Sequence, residues 1–216
     1  MRYAGIREEI VSVGRRMLAD GLVTFTAGNS SVRIPGEDLV AITPSGRPYD
    51  TMGPEEVPIV TLDGRVVDGA CRPSSEMPMH LAVYRHRPDV QAMVHTHSPH
   101  ALAFAVARRP IPLISLEGLP TRAIEVLVAE YATPGTEEVG RSALAALERQ
   151  PDSRAVLLAN HGLLAVGGSL AEAYTVAANL ETEARIYLLA ATLGTAVALT
   201  GEQLAAIRRH YEAKKQ

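Results

Sequence analysis

Apolar residues recur at intervals of three and four positions in several stretches of the chain, the spacing that places them on one face of a helix. The first stretch covers residues 3–20, and Gly21 follows it at a position that commonly ends a helix. Its apolar face includes Ile6, Ile10 and Met17. The same pattern, together with capping residues, predicts further helices from Ser74 or Ser75 to His86, at about 99–107, from Thr136 to about Glu148, from Ser169 to about Ala191 and from Thr200 onward.

Shorter apolar segments between these helices have the length and turn-forming borders of strands. Asp63-Gly64 marks a hairpin, and Asn160-His161-Gly162 joins two strands. The predicted strands lie at 32–34, at 39–42, within a hairpin over 57–68, at 90–97, at 155–158 and at 163–166. Because helices and strands are interleaved and several strands have short connections, we expect an α/β fold. The expected architecture is a single domain over residues 1–216, with three α/β/α layers around a mixed, mostly antiparallel sheet.

Composition and charge narrow the possible functions. At 216 residues and 47% hydrophobic, the chain is long enough for one well-packed domain and short for two. A net charge of −3 without a basic stripe argues against a nucleic-acid partner. No apolar run approaches the roughly 20 residues needed to cross a bilayer, and the N-terminus has no apolar signal core. With one cysteine, Cys71, no intrachain disulfide can form, so we expect a cytoplasmic protein that does not bind membranes.

The strongest chemical signal is His95-Thr96-His97, followed far downstream by His161. Residues two apart on a strand point to the same face, so His95 and His97 can direct their rings at one point. A third imidazole would complete three nitrogen ligands with one open position, the arrangement of catalytic rather than structural zinc. Histidine pairs of this spacing also occur as capping or surface residues, so the pair alone leaves both interpretations open.

Three polar segments have both a structural and a functional interpretation. Glu76 begins a helix, where the helix dipole stabilises a carboxylate, and it could also face a metal as a general base. Ser74 and Ser75 could cap that helix or donate hydrogen bonds to an anion. The loops 28–31 and 45–46 could be simple turns or could bind a phosphate through backbone N–H groups and hydroxyls.

Taken in order, five segments resemble the class II sugar-phosphate aldolase family, which contains L-fuculose-1-phosphate aldolase, L-rhamnulose-1-phosphate aldolase and L-ribulose-5-phosphate 4-epimerase. The resemblance covers nearly the whole chain. The segments are Ala27-Gly28-Asn29-Ser30-Ser31-Val32-Arg33, Ile42-Thr43-Pro44-Ser45-Gly46, Pro73-Ser74-Ser75-Glu76, Val94-His95-Thr96-His97-Ser98 and Asn160-His161-Gly162-Leu163.

This resemblance implies one Zn²⁺ per subunit, bound by His95, His97 and His161, with Glu76 as a further metal contact and the acid/base. It implies that the substrate is a phosphorylated ketose, similar to L-fuculose 1-phosphate. The products would be dihydroxyacetone phosphate and an aldehyde, formed through an enediolate that the metal stabilises. The phosphate would be bound by Gly28, Asn29, Ser45, Gly46, Ser74 and Ser75. The family also implies a homotetramer with active sites at subunit interfaces.

Two positions bear on specificity. The fuculose enzyme has a Tyr that protonates the aldehyde-derived oxygen across the interface, and this chain has Leu116 there. Tyr211 matches a second aromatic residue that closes the site, although a terminal helix residue without that role is an equal alternative. His80, His86 and His210 are expected in surface or packing positions, and His100 is expected to support the site or the structure without binding the metal.

Other reactions on the same scaffold stay open. These are dehydration of a methylthioribulose phosphate, 4-epimerisation and decarboxylation of an aromatic acid. Glu rather than Asp at position 76 favours the aldolases over the epimerases, and the polar loops argue against the decarboxylases. A non-catalytic scaffold, as in adducin, is disfavoured because all three histidines and Glu76 are present.

Overall fold

A computed structural model describes residues 1–213 as an interleaved series of helices and strands. The α-helices are α1 (Ala4–Ala19), α2 (Met77–His86), α3 (Pro99–Ala107), α4 (Glu137–Glu148), α5 (Leu170–Leu193) and α6 (Gly201–Ala213). The strands are β1 (Asn29–Arg33), β2 (Leu39–Ile42), β3 (Ile59–Thr61), β4 (Val66–Asp68), β5 (Ala92–Thr96), β6 (Ile111–Pro112), β7 (Glu125–Val126), β8 (Val128–Ala129), β9 (Ala155–Leu158) and β10 (Gly162–Gly167). Short 3₁₀ helices cover Pro54–Glu56 and Leu116–Thr121. Within the described residues, no helix is both long enough and apolar enough to span a membrane.

Eight strands form one sheet in the order β4-β3-β2-β1-β5-β10-β9-β8. Neighbours in this sheet are antiparallel except for β8 and β9, which run parallel. β6 and β7 form a separate antiparallel pair. The predicted mixed, mostly antiparallel sheet is therefore confirmed, and β5 lies near its middle with β1 and β10 on either side.

Side chains of the central strands alternate between two apolar cores, one on each face of the sheet. Ala92 and Val94 of β5 pack in the core that also contains residues of α1, α3 and α5. Met93, between them, packs in the core that contains residues of α2 and α4. Because both faces are covered by helices, β2, β9 and β10 contain only apolar residues and glycine instead of alternating with polar residues. The predicted three α/β/α layers are confirmed.

Two boundaries differ from the prediction in a way that shapes the site. β1 begins at Asn29, three residues before the predicted start, because the polar residues 29–31 pair with the buried strand β5. α2 begins at Met77, so Glu76 stands at its N-cap instead of inside its first turn. Strands β6, β7 and β8 were not predicted, since two residues are too short to show any periodicity.

Candidate metal centre and active site

Four side chains from separate parts of the fold converge beyond the end of β5. His95 lies in β5, His97 follows it, His161 lies in the turn between β9 and β10, and Glu76 immediately precedes α2. One potential ligand atom from each lies within 4.8 Å of all the others. His95 Nε2 is 2.9 Å from Glu76 Oε2, and His161 Nε2 is 2.9 Å from Glu76 Oε1. The structure therefore brings together the four residues that the sequence predicted as metal contacts.

Strand pairing explains how residues so far apart in sequence meet. β10 runs antiparallel to β5 with Leu164 opposite His95, so the turn before β10 lies beside the end of β5. In that turn Asn160 has a φ of 56°, a left-handed conformation that Asn tolerates better than most residues. The His161 N–H donates to the carbonyl oxygen of Leu158 at 3.0 Å, which closes the turn and holds the third imidazole near the first two.

Gly162 lies where β10 comes closest to the strand histidines. A Cβ there would collide with the carbonyl oxygen of Thr96 and lie 3.1 Å from ring atoms of both His95 and His97. We expect Gly162→Ala to lower stability by about 1–3 kcal/mol, as overpacking does, and to weaken metal retention. Melting temperature and metal content after dialysis would measure both effects. Gly5→Ala is the control, since its new Cβ meets nothing within 4 Å; identical behaviour of the two variants would contradict the expectation.

The donor atoms of this group fit a divalent cation. His95 Nδ1 lies 2.9 Å from the carbonyl oxygen of Leu163 and donates its hydrogen there. With a hydrogen on Nδ1, a neutral His95 ring would have a bare Nε2, and this atom faces Glu76 Oε2 at 2.9 Å and His97 Nε2 at 3.0 Å. Lone pairs this close repel each other unless a proton or a cation lies between them. Three imidazole nitrogens and a carboxylate suit Zn²⁺ and related transition metals.

The surroundings set the charge of two members of the group. Burial alone would raise the pKa of the Glu76 carboxyl, but His95 and His161 hold that pKa far below its usual range. Burial, reinforced by the same two histidines, lowers the pKa of His97 to about 4. At neutral pH the site therefore holds a carboxylate and a neutral imidazole, the protonation states that bind a metal ion.

A cavity of about 370 Å³ lies over these residues and has the size of a small-molecule site. Glu76, His97 and His161 line one part of it, whereas His95 contacts Glu76 and is fully buried. The cavity is also lined by every residue predicted to bind phosphate: Gly28, Asn29, Ser45, Gly46, Ser74 and Ser75. The structure thus brings the candidate phosphate loops and the candidate metal group into one cavity.

The polar loops of this cavity depend on backbone conformations that favour glycine. Gly28 has a φ of 70°, and a Cβ on it would lie 2.6 Å from the carbonyl oxygen of His95. Gly46 has a φ of 68°. Ser74 Oγ accepts a hydrogen bond from the Glu76 N–H at 3.2 Å, so one loop is tied to the start of α2. Among the described residues no Lys or Arg lines the cavity, so an anion there would meet neutral N–H and O–H donors.

Tyr211 lies in a different part of the same chain. It is on α6 and lines a second cavity, of about 610 Å³, together with Leu116 and Arg122. The two cavities share no lining residue among those the structure describes. Within one copy, the structure does not bring Tyr211 to the candidate metal group, and a role for it there would require a second copy of the chain.

His80 supports the site in a way that the sequence analysis missed. It is fully buried, which rules out the surface position that was one of its expected roles. Its Nε2 lies 2.5 Å from Asn29 Oδ1, and Asn29 Nδ2 donates to Glu76 Oε2 at 3.0 Å. Burial, with a smaller effect of His95, lowers the pKa of His80 to about 3, so its ring is neutral. The signal in the sequence is its spacing of four residues from Glu76, which places His80 one helical turn after this N-cap residue and on the same side of α2.

Known proteins similar to this chain include several aldolases. A family profile, Class II Aldolase and Adducin N-terminal domain, matches residues 8–188. The chain is 41% identical over 206 residues to a 5-deoxy-D-ribulose 1-phosphate aldolase of Bacillus thuringiensis serovar kurstaki, which covers 95% of both proteins. It is 37% identical over 182 residues, 84% of this chain and 80% of the other, to a 5-methylthioribulose-1-phosphate/5-deoxyribulose-1-phosphate aldolase of Rhodospirillum rubrum. A solved L-fuculose 1-phosphate aldolase superposes with a TM-score of 0.91 at 35% identity over 98% of both chains.

Proposed function

Because the chain belongs to the class II aldolase and adducin N-terminal domain family, we propose that it cleaves a ketose 1-phosphate to dihydroxyacetone phosphate and an aldehyde. Class II aldolases are metal-dependent carbon–carbon lyases, and this chain is one of them. The observation that carries the proposal is the convergence of three imidazoles and Glu76 beside a cavity lined by neutral hydrogen-bond donors. The carbonyl of the proposed substrate would lie at the three imidazoles and Glu76, and its phosphate would lie among the hydrogen-bond donors of the cavity.

Glu76 is the proposed acid/base. In cleavage the C3–C4 bond of the ketose breaks, and its electron pair stays on C3. The C4 hydroxyl gives its proton to the Glu76 carboxylate, and C4 becomes the aldehyde carbon. Glu76 then gives a proton to C3, which completes dihydroxyacetone phosphate, and in the synthetic direction its carboxylate removes that proton. The position of Glu76 supports this role, because its carboxylate lies beside His95 and His161 and lines the cavity where the substrate would bind.

The proposed cofactor is Zn²⁺, one per subunit, held by His95, His97 and His161 with Glu76 as a further contact. Three imidazole nitrogens with an open position are typical of catalytic zinc, although such sites also accept related metals. When bound, the cation would polarise the ketose carbonyl and stabilise the negative charge that develops as the bond breaks. The hydrogen bond from His95 to the carbonyl oxygen of Leu163 supports the assignment, since metal-binding imidazoles are commonly oriented in this way.

The proposed substrate is a 5-deoxypentulose 1-phosphate, which would give acetaldehyde as the second product. The names of the two relatives at 41% and 37% identity support this choice. L-fuculose 1-phosphate, which would give lactaldehyde, is the second candidate because of the structural similarity to a solved fuculose enzyme.

We predict that kcat/KM for 5-deoxyribulose 1-phosphate exceeds that for L-fuculose 1-phosphate by at least about 10-fold, the scale on which small apolar groups and hydroxyls are discriminated. Enzymatic detection of dihydroxyacetone phosphate with each sugar would measure this ratio. Unphosphorylated 5-deoxyribulose is the control and should react far more slowly. A preference for L-fuculose 1-phosphate would reassign the substrate.

The same assay separates the other reactions known on this scaffold. A dehydratase, an epimerase or a decarboxylase would consume its substrate without releasing dihydroxyacetone phosphate. A non-catalytic scaffold, as in adducin, would show no turnover and no need to retain metal. The intact group of three histidines and Glu76 argues for an enzyme.

We further propose that the whole chain acts as one domain in a cytoplasmic homotetramer with active sites at subunit interfaces. A role of Tyr211 at the metal group would require this assembly, because only a neighbouring copy could bring it there. Tyr211 and Leu116 line one cavity, so both would reach the neighbouring site from the same region. Light scattering of the purified protein would test the assembly, and a monomer with full activity would contradict it.

A further inference from the structure

A row of polar side chains fills the contact between α2 and β1, directly behind the candidate site. Four residues of a helix advance about 6 Å and two residues of a strand about 6.6 Å, so the two elements stay in step. The helix contributes His80 and Tyr84 together with its N-cap residue Glu76, and the strand contributes Asn29, Ser31 and Arg33. This arrangement places each polar group of α2 against a polar group of β1 inside an otherwise apolar layer.

The hydrogen bonds in this row form one continuous chain that ends at Glu76. Asn29 Nδ2 is 3.0 Å from Glu76 Oε2, and Asn29 Oδ1 is 2.5 Å from His80 Nε2. On the other side of the ring, His80 Nδ1 is 2.7 Å from Ser31 Oγ, which is 2.9 Å from the Tyr84 hydroxyl. His80 and Ser31 are completely buried, and Asn29 and Tyr84 nearly so. Each of these groups therefore depends on its neighbours in the row for its hydrogen bonds.

The carboxylate at one end fixes the direction of every bond. A carboxylate can only accept, so the Asn29 amide must present its NH₂ group to Glu76 and its oxygen to His80. His80 must then carry its hydrogen on Nε2 and accept at Nδ1 from the Ser31 hydroxyl. The Tyr84 hydroxyl, whose pKa burial raises, donates in turn to Ser31 Oγ. A reversed Asn29 amide would place its oxygen against the carboxylate and its NH₂ group against the N–H of His80.

We propose that His80 is a positioning residue, which holds the Asn29 amide in the one orientation that donates to Glu76. This inference rests on the proposed function for Glu76. It adds that a buried histidine, which contacts neither metal nor substrate, positions the carboxylate through Asn29. Without the Nε2–H of His80, the amide is free to reverse. Its oxygen would then repel the Glu76 carboxylate and face an anionic substrate in the cavity.

Two substitutions of similar size separate positioning from simple packing. The His80→Gln side chain can place an N–H where Nε2 lies, whereas the shorter His80→Asn side chain reaches only as far as Nδ1. We expect His80→Asn to lower kcat/KM for aldol cleavage about 10- to 100-fold, the range for losing a hydrogen bond coupled to a charged group, through a lower kcat and a higher KM. His80→Gln should stay within about 3-fold of wild type. His86→Asn, on the same helix but outside the row, is the control.

Equal losses in His80→Gln and His80→Asn would overturn the proposal, because a purely structural role does not distinguish an N–H at Nε2 from one at Nδ1.

A second measurement requires neither catalytic turnover nor a variant that folds. Nitrogen-15 spectra of the histidine side chains in the metal-loaded wild type should show His80 protonated at Nε2 and bare at Nδ1. The opposite tautomer would also overturn it. If the wild type cleaves no ketose phosphate, the proposed function fails, and the tautomer still decides the orientation of Asn29.

Discussion

Glu76→Gln lowers the rate of ketose phosphate cleavage by about 10³-fold while the protein keeps its metal. General acid/base groups contribute about 10²- to 10⁴-fold to catalysis, and Gln has the shape of Glu without a proton to transfer. The three imidazoles remain in place, and they supply most of the metal-binding atoms of the group. Steady-state release of dihydroxyacetone phosphate and metal analysis of the same sample would measure both parts of this expectation.

The control for this substitution is Glu137→Gln, which makes the same chemical change on α4 at a carboxylate paired with Arg85 and Arg141. It should leave both cleavage and metal content unchanged. Full turnover by Glu76→Gln would remove Glu76 from the reaction. Loss of metal from Glu76→Gln would instead make its carboxylate a required ligand, and the catalytic role would then need a separate test.

His95→Ala gives the second large effect, namely loss of both metal and activity. His95 is completely buried, and its Nε2 lies within 3.0 Å of both Glu76 and His97. Removing it leaves two imidazoles, which bind zinc far less tightly than three. Metal bound only to the native state raises the melting temperature of the wild type. We therefore expect added Zn²⁺ to stabilise the wild type and to leave the melting temperature of His95→Ala unchanged.

His100→Ala is the matched control for this experiment. His100 is half-exposed and its Nδ1 pairs with Glu181 at 2.6 Å, so it lies outside the metal group. This variant should keep its metal through dialysis against a chelator. A His95→Ala protein that keeps a full complement of metal would show that the ion binds elsewhere.

The spacing of apolar residues was sufficient to predict the helices that bury a long apolar face. α1 covers Ala4–Ala19 against a predicted 3–20, and the last helix begins with the expected capping box, in which Thr200 Oγ1 accepts from the Gln203 N–H at 3.2 Å. The histidine spacing on β5 was equally informative, because side-chain direction on a strand follows from local geometry alone. These features depend on a few neighbouring residues, which a sequence displays directly.

Features that depend on contacts between distant segments were not predictable in the same way. Asn29 and Ser31 appeared to belong to a loop, since their polar side chains hide the strand until it pairs with β5. His80 was predicted to lie on the surface or in a packing position, because its partner Asn29 is 51 positions away and only the packing of α2 on β1 brings them together. The location of Tyr211 in a separate cavity follows from where α6 packs, which its own sequence does not specify.

The central claim is that this site breaks and forms a carbon–carbon bond through proton transfer at one carbon of a three-carbon phosphate. The most direct measurement is exchange of the hydroxymethyl hydrogen of dihydroxyacetone phosphate in D₂O, followed by proton NMR, with the metal-loaded wild type. It requires no knowledge of the aldehyde. The account predicts exchange of one of the two hydrogens without net reaction. Stoichiometric metal with no exchange would contradict the account and favour a dehydratase or decarboxylase at the same site.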